Sequence, residues 1–479
     1  MKTLLLKIRK NFSLFIFALL FLGITTGKAQ FSDLVDFKGS NGSMPHGGLT
    51  ISGSTMYGMT NSGGANGKGC IFSIGTDGKG YTDLYDFSGG KGGATPDGTL
   101  LLSGGVLYGI SQLGGTNGVG NIFSFTLNGN TYTDLLDFTG TGAGTTPNAK
   151  YPQGSLTLSG GVLYGTSIFG SPVNNNGNVF SVNLNGTGYK DLIDFTGSNG
   201  LNPTGSITIS GSTIYGTASK GGANGDGCLF SYNTSNSTYT DLYDFNGTKG
   251  MTPNASLTLS GSMLYGTAST GGANGDGCVF SFNLNNSTYA DIYDFAGANG
   301  STPKGTLTLV NNVLYGMTSA GGAKGNGCVF SMTTSGGAYA DLFDFDGTHG
   351  ATPLGEIIVS GNTVFGMTSA GGASSDGLVF SLGGISTSID AYSEAANSVL
   401  LYPNPCTGIF NLQLKNRLNL TSLAKIDIYN VLGQNVYTSL LDFNQNDQQI
   451  NFSGNPAGYY NFIITSTVGV IGKGKFILK

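Results

Sequence analysis

The sequence predicts an all-β fold: a seven-bladed β-propeller built from seven four-stranded repeats, followed by a small Ig-like β-sandwich. Three observations carry that expectation. A unit of about 50 residues recurs seven times, each copy reads as four short strands, and those strands are apolar on both faces.

The recurrence is read from the Asp-Phe that closes each copy, at Asp36, Asp86, Asp137, Asp194, Asp244, Asp294 and Asp344. Successive spacings are 50, 51, 57, 50, 50 and 50. A Tyr-Gly pair keeps step at Tyr57, Tyr108, Tyr164, Tyr215, Tyr265 and Tyr315, with Phe365 as the variant in the seventh copy.

Within the unit from Ala255 to Phe295, the strands are SLTLS, MLYGT, CVFSF and YADIYDF, separated by Gly, Asn and Ser. Strict alternation puts Tyr289, Asp291, Tyr293 and Phe295 on one face and Ala290, Ile292 and Asp294 on the other. Neither is a solvent face, so each sheet needs a neighbour on both sides, which a tandem array supplies. A solenoid is the competing architecture, but it requires polar capping repeats and neither end has one, while seven lies within the usual number of blades.

The loop between the third and fourth strands is short and reads as a hairpin. The link from Asp-Phe to the next copy is longer and holds a proline, at Pro45, Pro96, Pro147, Pro203, Pro253, Pro303 and Pro353. It is expected to cross from the rim of one blade to the centre of the next. The odd spacing of 57 marks an insertion around Asn148 to Gln153 in the third copy. The last copy stops at Val379 to Ser381 without a fourth strand, so residues 31–37 are expected to complete the seventh blade.

Four segments follow. Residues 1–29 carry Lys2, Lys7, Arg9 and Lys10, an apolar run and a small-residue end at Gly27-Lys28-Ala29, which reads as a secretory signal cut after Ala29; a lone membrane anchor is the alternative. Residues 30–382 form the repeat domain. Residues 383–397 are small and polar without period and read as a linker, and residues 398–479 form a separate all-β domain with alternating strands GIFNLQL, KIDIYNV and YYNFIIT.

Composition narrows the function. The 83 glycines among 479 residues lack the three-residue period of collagen, and 23 Tyr with 29 Phe argue for packed strands over disorder. A charged fraction of 10% and a net charge of -5 offer no basic footprint for nucleic acid. Four of the five cysteines, Cys70, Cys228, Cys278 and Cys328, hold one position in different copies, where the other copies have Asn121, Asn178 and Leu378. Equivalent positions in successive sheets lie about 10 Å apart, too far for a disulfide, so buried free thiols are expected; Cys406 is alone in the last domain.

The C-terminal domain resembles the type A sorting domain of the type IX secretion system. The matching residues are Tyr402, Pro403, Asn404, Pro405 and Gly408, the run from Ile428 to Gln434 with Gly433, Pro456-Ala457-Gly458-Tyr459-Tyr460, and the basic end Lys473, Lys475 and Lys479. The resemblance implies export across the outer membrane of a Gram-negative bacterium by the type IX machinery. It further implies removal of this domain by a sortase-like protease, and release or attachment to surface lipopolysaccharide. An ordinary Ig-like adhesion module is the alternative. The repeats resemble the Gloeo/Verruco repeat family, whose hallmark is met at Tyr265-Gly266-Thr267, Gly271-Gly272 and Gly275 to Phe280. The third copy departs most, with Phe169-Gly170-Ser171-Pro172. That family implies the fold and no activity.

Candidate chemistry is sparse. His46 and His349 are the only histidines and read as solvent-facing loop residues; no nucleophile-elbow spacing accompanies them. The repeats hold one glutamate, Glu356, which disfavours paired-Glu glycosidase chemistry. The Asp pairs recur in every copy and are expected to accept hydrogen bonds from turn backbone at the rim. Asp226 and Asp276, in the GGANGDG loops, are candidate calcium ligands, but Lys68 and Val119 hold their place elsewhere, so no metal or other cofactor is expected. The expected function is a secreted or surface-bound, non-enzymatic scaffold for a glycan or protein ligand. A polysaccharide-acting hydrolase or lyase is the alternative, to be sought in the irregular third copy, Lys150 to Asn178.

Overall fold

The computed structural model describes residues 30–141, 146–170, 175–385, 399–414, 424–430, 434–441, 447–466 and 469–479. Residues 1–29, expected to be a secretory signal, and nearly all of the expected linker 383–397 lie outside the described residues, as do Pro172 and Gly433. Apart from one 3-10 turn at Gly90–Gly92, every regular element among the described residues is a strand.

The repeats form seven antiparallel sheets in chain order, each with four strands in the order of the sequence. One is Thr258–Ser260, Met263–Ala268, Cys278–Asn283 and Thr288–Asp294. A short extra strand, Ser301–Pro303, joins the sixth sheet. In the seventh, Gln30–Asp36 pairs with Leu378–Gly383, supplying the outer strand that the last copy lacks. Chain-terminal repeats are thus joined by a ladder of backbone hydrogen bonds.

Junctions between sheets repeat the same contacts. The residue before the proline has positive φ in all seven repeats: Met44, Thr95, Tyr151, Asn202, Thr252, Thr302 and Thr352. Each donates its backbone N–H to a loop carbonyl of the preceding repeat, from Thr302 to Asp276 at 2.8 Å for instance. Met44 donates to Asp376 at the same 2.8 Å, so the junction of the last repeat with the first is built like the others. Aromatic stacking follows suit: Tyr243 lies on Tyr289 with centroids 3.8 Å apart, and Phe343 lies on Phe31 at 3.9 Å.

Two sequence expectations need correction here. The third repeat uses Pro152 at the junction, not Pro147, because Pro152 packs over Gly120 as Pro96 packs over Gly69 and Pro303 over Gly277. The extra residues therefore precede Pro152. Strict alternation also fails in the fourth strand, where a bulge pairs Val279 with Tyr293 but Phe280 with Asp291. The bulge shifts the register so that Asp291 and Asp294, assigned to opposite faces, lie near each other, and burial, then the charge of Asp294, pushes the Asp291 carboxyl up.

Free thiols occur as expected: all five cysteines are unpaired and buried. Burial pushes Cys70 and Cys228 up to about 12 and Cys328 to about 11, which keeps them as inert thiols.

The proline junction gives a stability test. At Gly277, φ is +91°, and a Cβ would meet Ala268 O at 2.5 Å and Pro303 Cδ at 2.7 Å, whereas at Gly275, φ +83°, it would meet nothing within 4 Å. Gly277→Ala is expected to cost about 3 kcal/mol and Gly275→Ala about 1 kcal/mol, read by denaturant melts. Equal costs would mean that the proline does not pack there.

In the C-terminal unit, a three-stranded sheet (Val399–Tyr402, Ile409–Leu414, Asp447–Asn451) and a four-stranded sheet (Asn435–Leu441, Ala424–Tyr429, Gly458–Ser466, Gly469–Leu478) share one core. Phe410, Ile426, Ile428, Phe452, Phe462 and Phe476 fill it. Among the described residues no helix is long and apolar enough to cross a membrane.

Candidate functional site

After its proline, each repeat supplies a three-residue inner segment: 46–48, 97–99, 153–155, 204–206, 254–256, 304–306 and 354–356. All seven segments line one cavity of about 330 Å³, within the range of small-ligand pockets.

The three positions do different work. The middle one is glycine in six repeats and Ala255 in the fifth, because neighbouring segments touch: a Cβ on Gly355 would lie 2.1 Å from Gly47 O, and one on Gly305 would lie 2.1 Å from Gly355 O. The third position carries a hydroxyl relay. Gly48 N donates to Thr99 Oγ1 (2.7 Å), Thr99 N to Ser155 Oγ (2.8 Å), Ser155 N to Ser206 Oγ (2.6 Å) and Ser206 N to Ser256 Oγ (2.8 Å). Glu356 breaks the pattern. It reaches across Gly48, whose missing side chain leaves the room, and bonds Thr99; a Cβ on Gly48 would be 2.5 Å from Glu356 Cγ.

The first position holds a different residue in every repeat: His46, Asp97, Gln153, Thr204, Asn254, Lys304 and Leu354. His46 Nδ1 lies 3.9 Å from Asp97 Oδ1, with their side chains 27% and 16% exposed. Burial pushes the carboxyl of Asp97 above its ordinary value against the pull of His46, and burial likewise raises Glu356 against its bond from Thr99. No aromatic side chain lines the cavity.

His46 is therefore a cavity residue rather than a plain loop residue, because the crossing segment carries it inward. His349 is half exposed in a loop, 3.0 Å from Asp346 and edge-on to Phe31. Asp226 and Asp276 lie at sheet junctions: their carbonyls accept from Thr252 and Thr302, and Asp276 Oδ1 accepts from Ser301 Oγ at 3.0 Å. Among the described residues no group of three or more His, Cys, Asp or Glu side chains could hold a metal. In five repeats the second Asp of the pair accepts a turn backbone N–H, as from Ala273 to Asp294 Oδ1 at 2.7 Å and from Ala323 to Asp344 at 2.7 Å, whereas Asp137 takes the Thr116 hydroxyl instead.

The irregular third repeat spends its departure on packing. Inserted Asn148 is fully buried and donates to Asp191 Oδ2 (2.7 Å), while its Oδ1 accepts from Asn178 (2.8 Å) and from the Tyr189 hydroxyl (2.9 Å). Asn148 thus compensates for Asn178 in the place of a cysteine, and only Gln153 to Ser155 of this stretch reach the cavity. The post-proline ring went unseen in the sequence, although aligning the seven copies on that proline exposes seven unlike residues beside a constant Gly or Ala.

Of the sorting residues, Asn404 clamps the last strand: its Nδ2 donates to Lys475 O at 3.3 Å and its Oδ1 accepts from Ile477 N at 3.0 Å. Pro403 and Pro405 follow cis peptide bonds, Gly408 has φ +108° and accepts from Phe452 N, Lys479 N donates to Cys406 O, and Gly458 opens the strand Gly458–Ser466. Tyr459 is 68% exposed.

Residues 20–224 and 174–380 match the Gloeobacter/Verrucomicrobia repeat. The chain belongs to that family. Residues 400–479 match the secretion system C-terminal sorting domain, so this Gloeobacter/Verrucomicrobia repeat protein carries its export signal at the C-terminal end. No curated protein sequence matches it. Among solved structures it is similar to the extracellular domain of a protein classed with the hybrid two-component systems of B. thetaiotaomicron, at 12% identity, TM-score 0.49, over 94% of this chain and 59% of that one. It is also similar to a polysaccharide lyase, at 10% identity, TM-score 0.46, over 71% of this chain and 90% of the lyase. The repeat protein thus spans 59% of the length of the first of these structures.

Proposed function

We propose that the seven sheets are blades of a closed seven-bladed propeller that binds one end of a polar glycan in its central cavity without converting it. The signal segment 1–29 and the C-terminal domain then take the protein through the type IX machinery to the outside of a Gram-negative cell. There a sortase-like protease removes residues 398–479, and the repeat domain is released or fixed to lipopolysaccharide.

One observation carries the binding reading: seven unlike side chains meet at one cavity, at a single position of an otherwise constant repeat. A position that serves only folding repeats its residue, as the junction proline does. The cavity volume suits a monosaccharide-sized group and is too small for a protein segment of any length. Gln153, Thr204 and Asn254 offer neutral donors and acceptors suited to hydroxyl groups. The hydrolase or lyase reading draws on the His46–Asp97 pair.

The chain contains no tryptophan, so Leu354→Trp puts a lone indole at the cavity. Titrating this variant with the glycans that wild-type protein retains on an array is expected to shift the indole emission, with no change in glycan length or reducing ends. Retention with an unchanged emission would put the binding elsewhere, and release of shorter products would make the protein an enzyme.

A further inference from the structure

The charges of the cavity are unevenly placed. Its wall holds two carboxyls, Asp97 and Glu356, from the second and seventh repeats, separated by the first repeat, whose Gly48 has no side chain. Asp97 Oδ1 accepts from its neighbour Gly98 N at 2.8 Å and faces His46 at 3.9 Å. Glu356 has the neutral hydroxyl of Thr99. Among the described residues neither carboxyl has a Lys or Arg within ion-pair distance. Lys304, the one Lys or Arg of the lining, is exposed and forms no ion pair with either carboxyl.

A carboxyl partly withdrawn from water with no Lys or Arg beside it is costly to ionise, and burial holds both of these above their usual range. An ammonium group brought into the cavity would supply the missing countercharge, through charge-assisted hydrogen bonds to both sides of the gap at Gly48. The rest of the ring, Gln153, Thr204 and Asn254, carries amide and hydroxyl groups matched to alcohols, and the absence of aromatic lining leaves no platform for a flat ring.

We infer that the ligand of this cavity is an amino sugar with a free amine, its ammonium group held between Asp97 and Glu356 and its hydroxyls by the neutral half of the ring. This rests on the cavity being the binding site, as proposed above.

The probes are glucosamine, N-acetylglucosamine and glucose, titrated into the full chain at pH 7 by calorimetry and into the Leu354→Trp variant by fluorescence. Glucosamine is expected to bind, with both neutral sugars weaker by about tenfold or more, and Asp97→Asn and Glu356→Gln each weakening glucosamine by about tenfold. Equal binding of the three sugars with a responding indole would overturn the amine assignment and leave the cavity reading standing. Glucosamine heat with a silent indole would overturn both, and no heat from glucosamine would overturn the inference. The comparison of sugars needs no carboxyl variant, so misfolding of either variant leaves the test intact.

Discussion

A chain that starts at Lys38 is expected to melt about 10 °C or more below one that starts at Gln30. The missing residues supply a whole strand of the seventh sheet, paired with Leu378–Gly383. They also supply Phe31, stacked on Phe343 at 3.9 Å and on Phe380 at 5.4 Å, and Phe37, which is fully buried and packs edge-on to Phe72. Loss of one buried Phe side chain costs about 3–5 kcal/mol, and each kcal/mol is worth about 2 °C or more in a chain of this size. Asp36 would go too, and with it the bond from Ala373 N at 2.9 Å that orders the last loop. Calorimetric melts of the two chains check this; coincident melts would mean that the strand does not hold the seventh sheet together.

Stability is expected to fall as the pH rises from 4 to 8, the reverse of ordinary acid denaturation. The bulge in each outer strand brings two carboxyls near one another, partly withdrawn from water. Burial, then the partner Asp, pushes Asp83, Asp291 and Asp341 up to about 6. Burial takes Asp191 up to about 7, against hydrogen bonds from Asn148 and Asn178. Asp33, Asp134 and Asp241 shift the same way.

A carboxyl whose folded pKa exceeds its unfolded value of about 4 binds more protons folded than unfolded. Its contribution is complete below pH 4 and disappears as the pH passes about 6 to 7. Asp346, held below the usual carboxylate range by bonds from the backbone and ring of His349, acts oppositely, but only below pH 4. With several groups acting together, the melting temperature should drop on the order of 5 °C between pH 5 and pH 8. Asp291→Asn should flatten that slope by one group's share. A melting temperature that rises over this range would contradict the carboxyl pairing.

How much of this could be read from the chain follows from what repetition displays and what it hides. Strands, the repeated thiols and the pairing of residues 31–37 with the last copy recur or fail to recur in step, so counting copies shows them. The bulge at Ile292 was hidden, because a bulge keeps the same residues while changing which face they occupy. Pro152 reads in sequence as an inserted residue because Pro147, five residues earlier, copies the local Thr-Pro pattern, and only the packing over Gly120 separates the two.

The cavity residues were hidden for a different reason. His46, Asp97, Lys304 and Glu356 are scattered over more than 300 positions, and in any one copy each looks like a loop substitution. Only the shared cavity makes them one site. The visible irregularity of the third copy drew attention instead, although Asn148 and Asn178 use it to satisfy buried polar groups.

Stoichiometry separates a single shared cavity from a repeated site. Ligand bound in the central cavity must saturate at one per chain, whereas ligand held by the Gly-rich loops or the Asp pairs would approach seven. Calorimetric titration of the full chain with glucosamine is expected to give a single site; a value well above one would contradict the assignment of function to the ring of residues after the prolines.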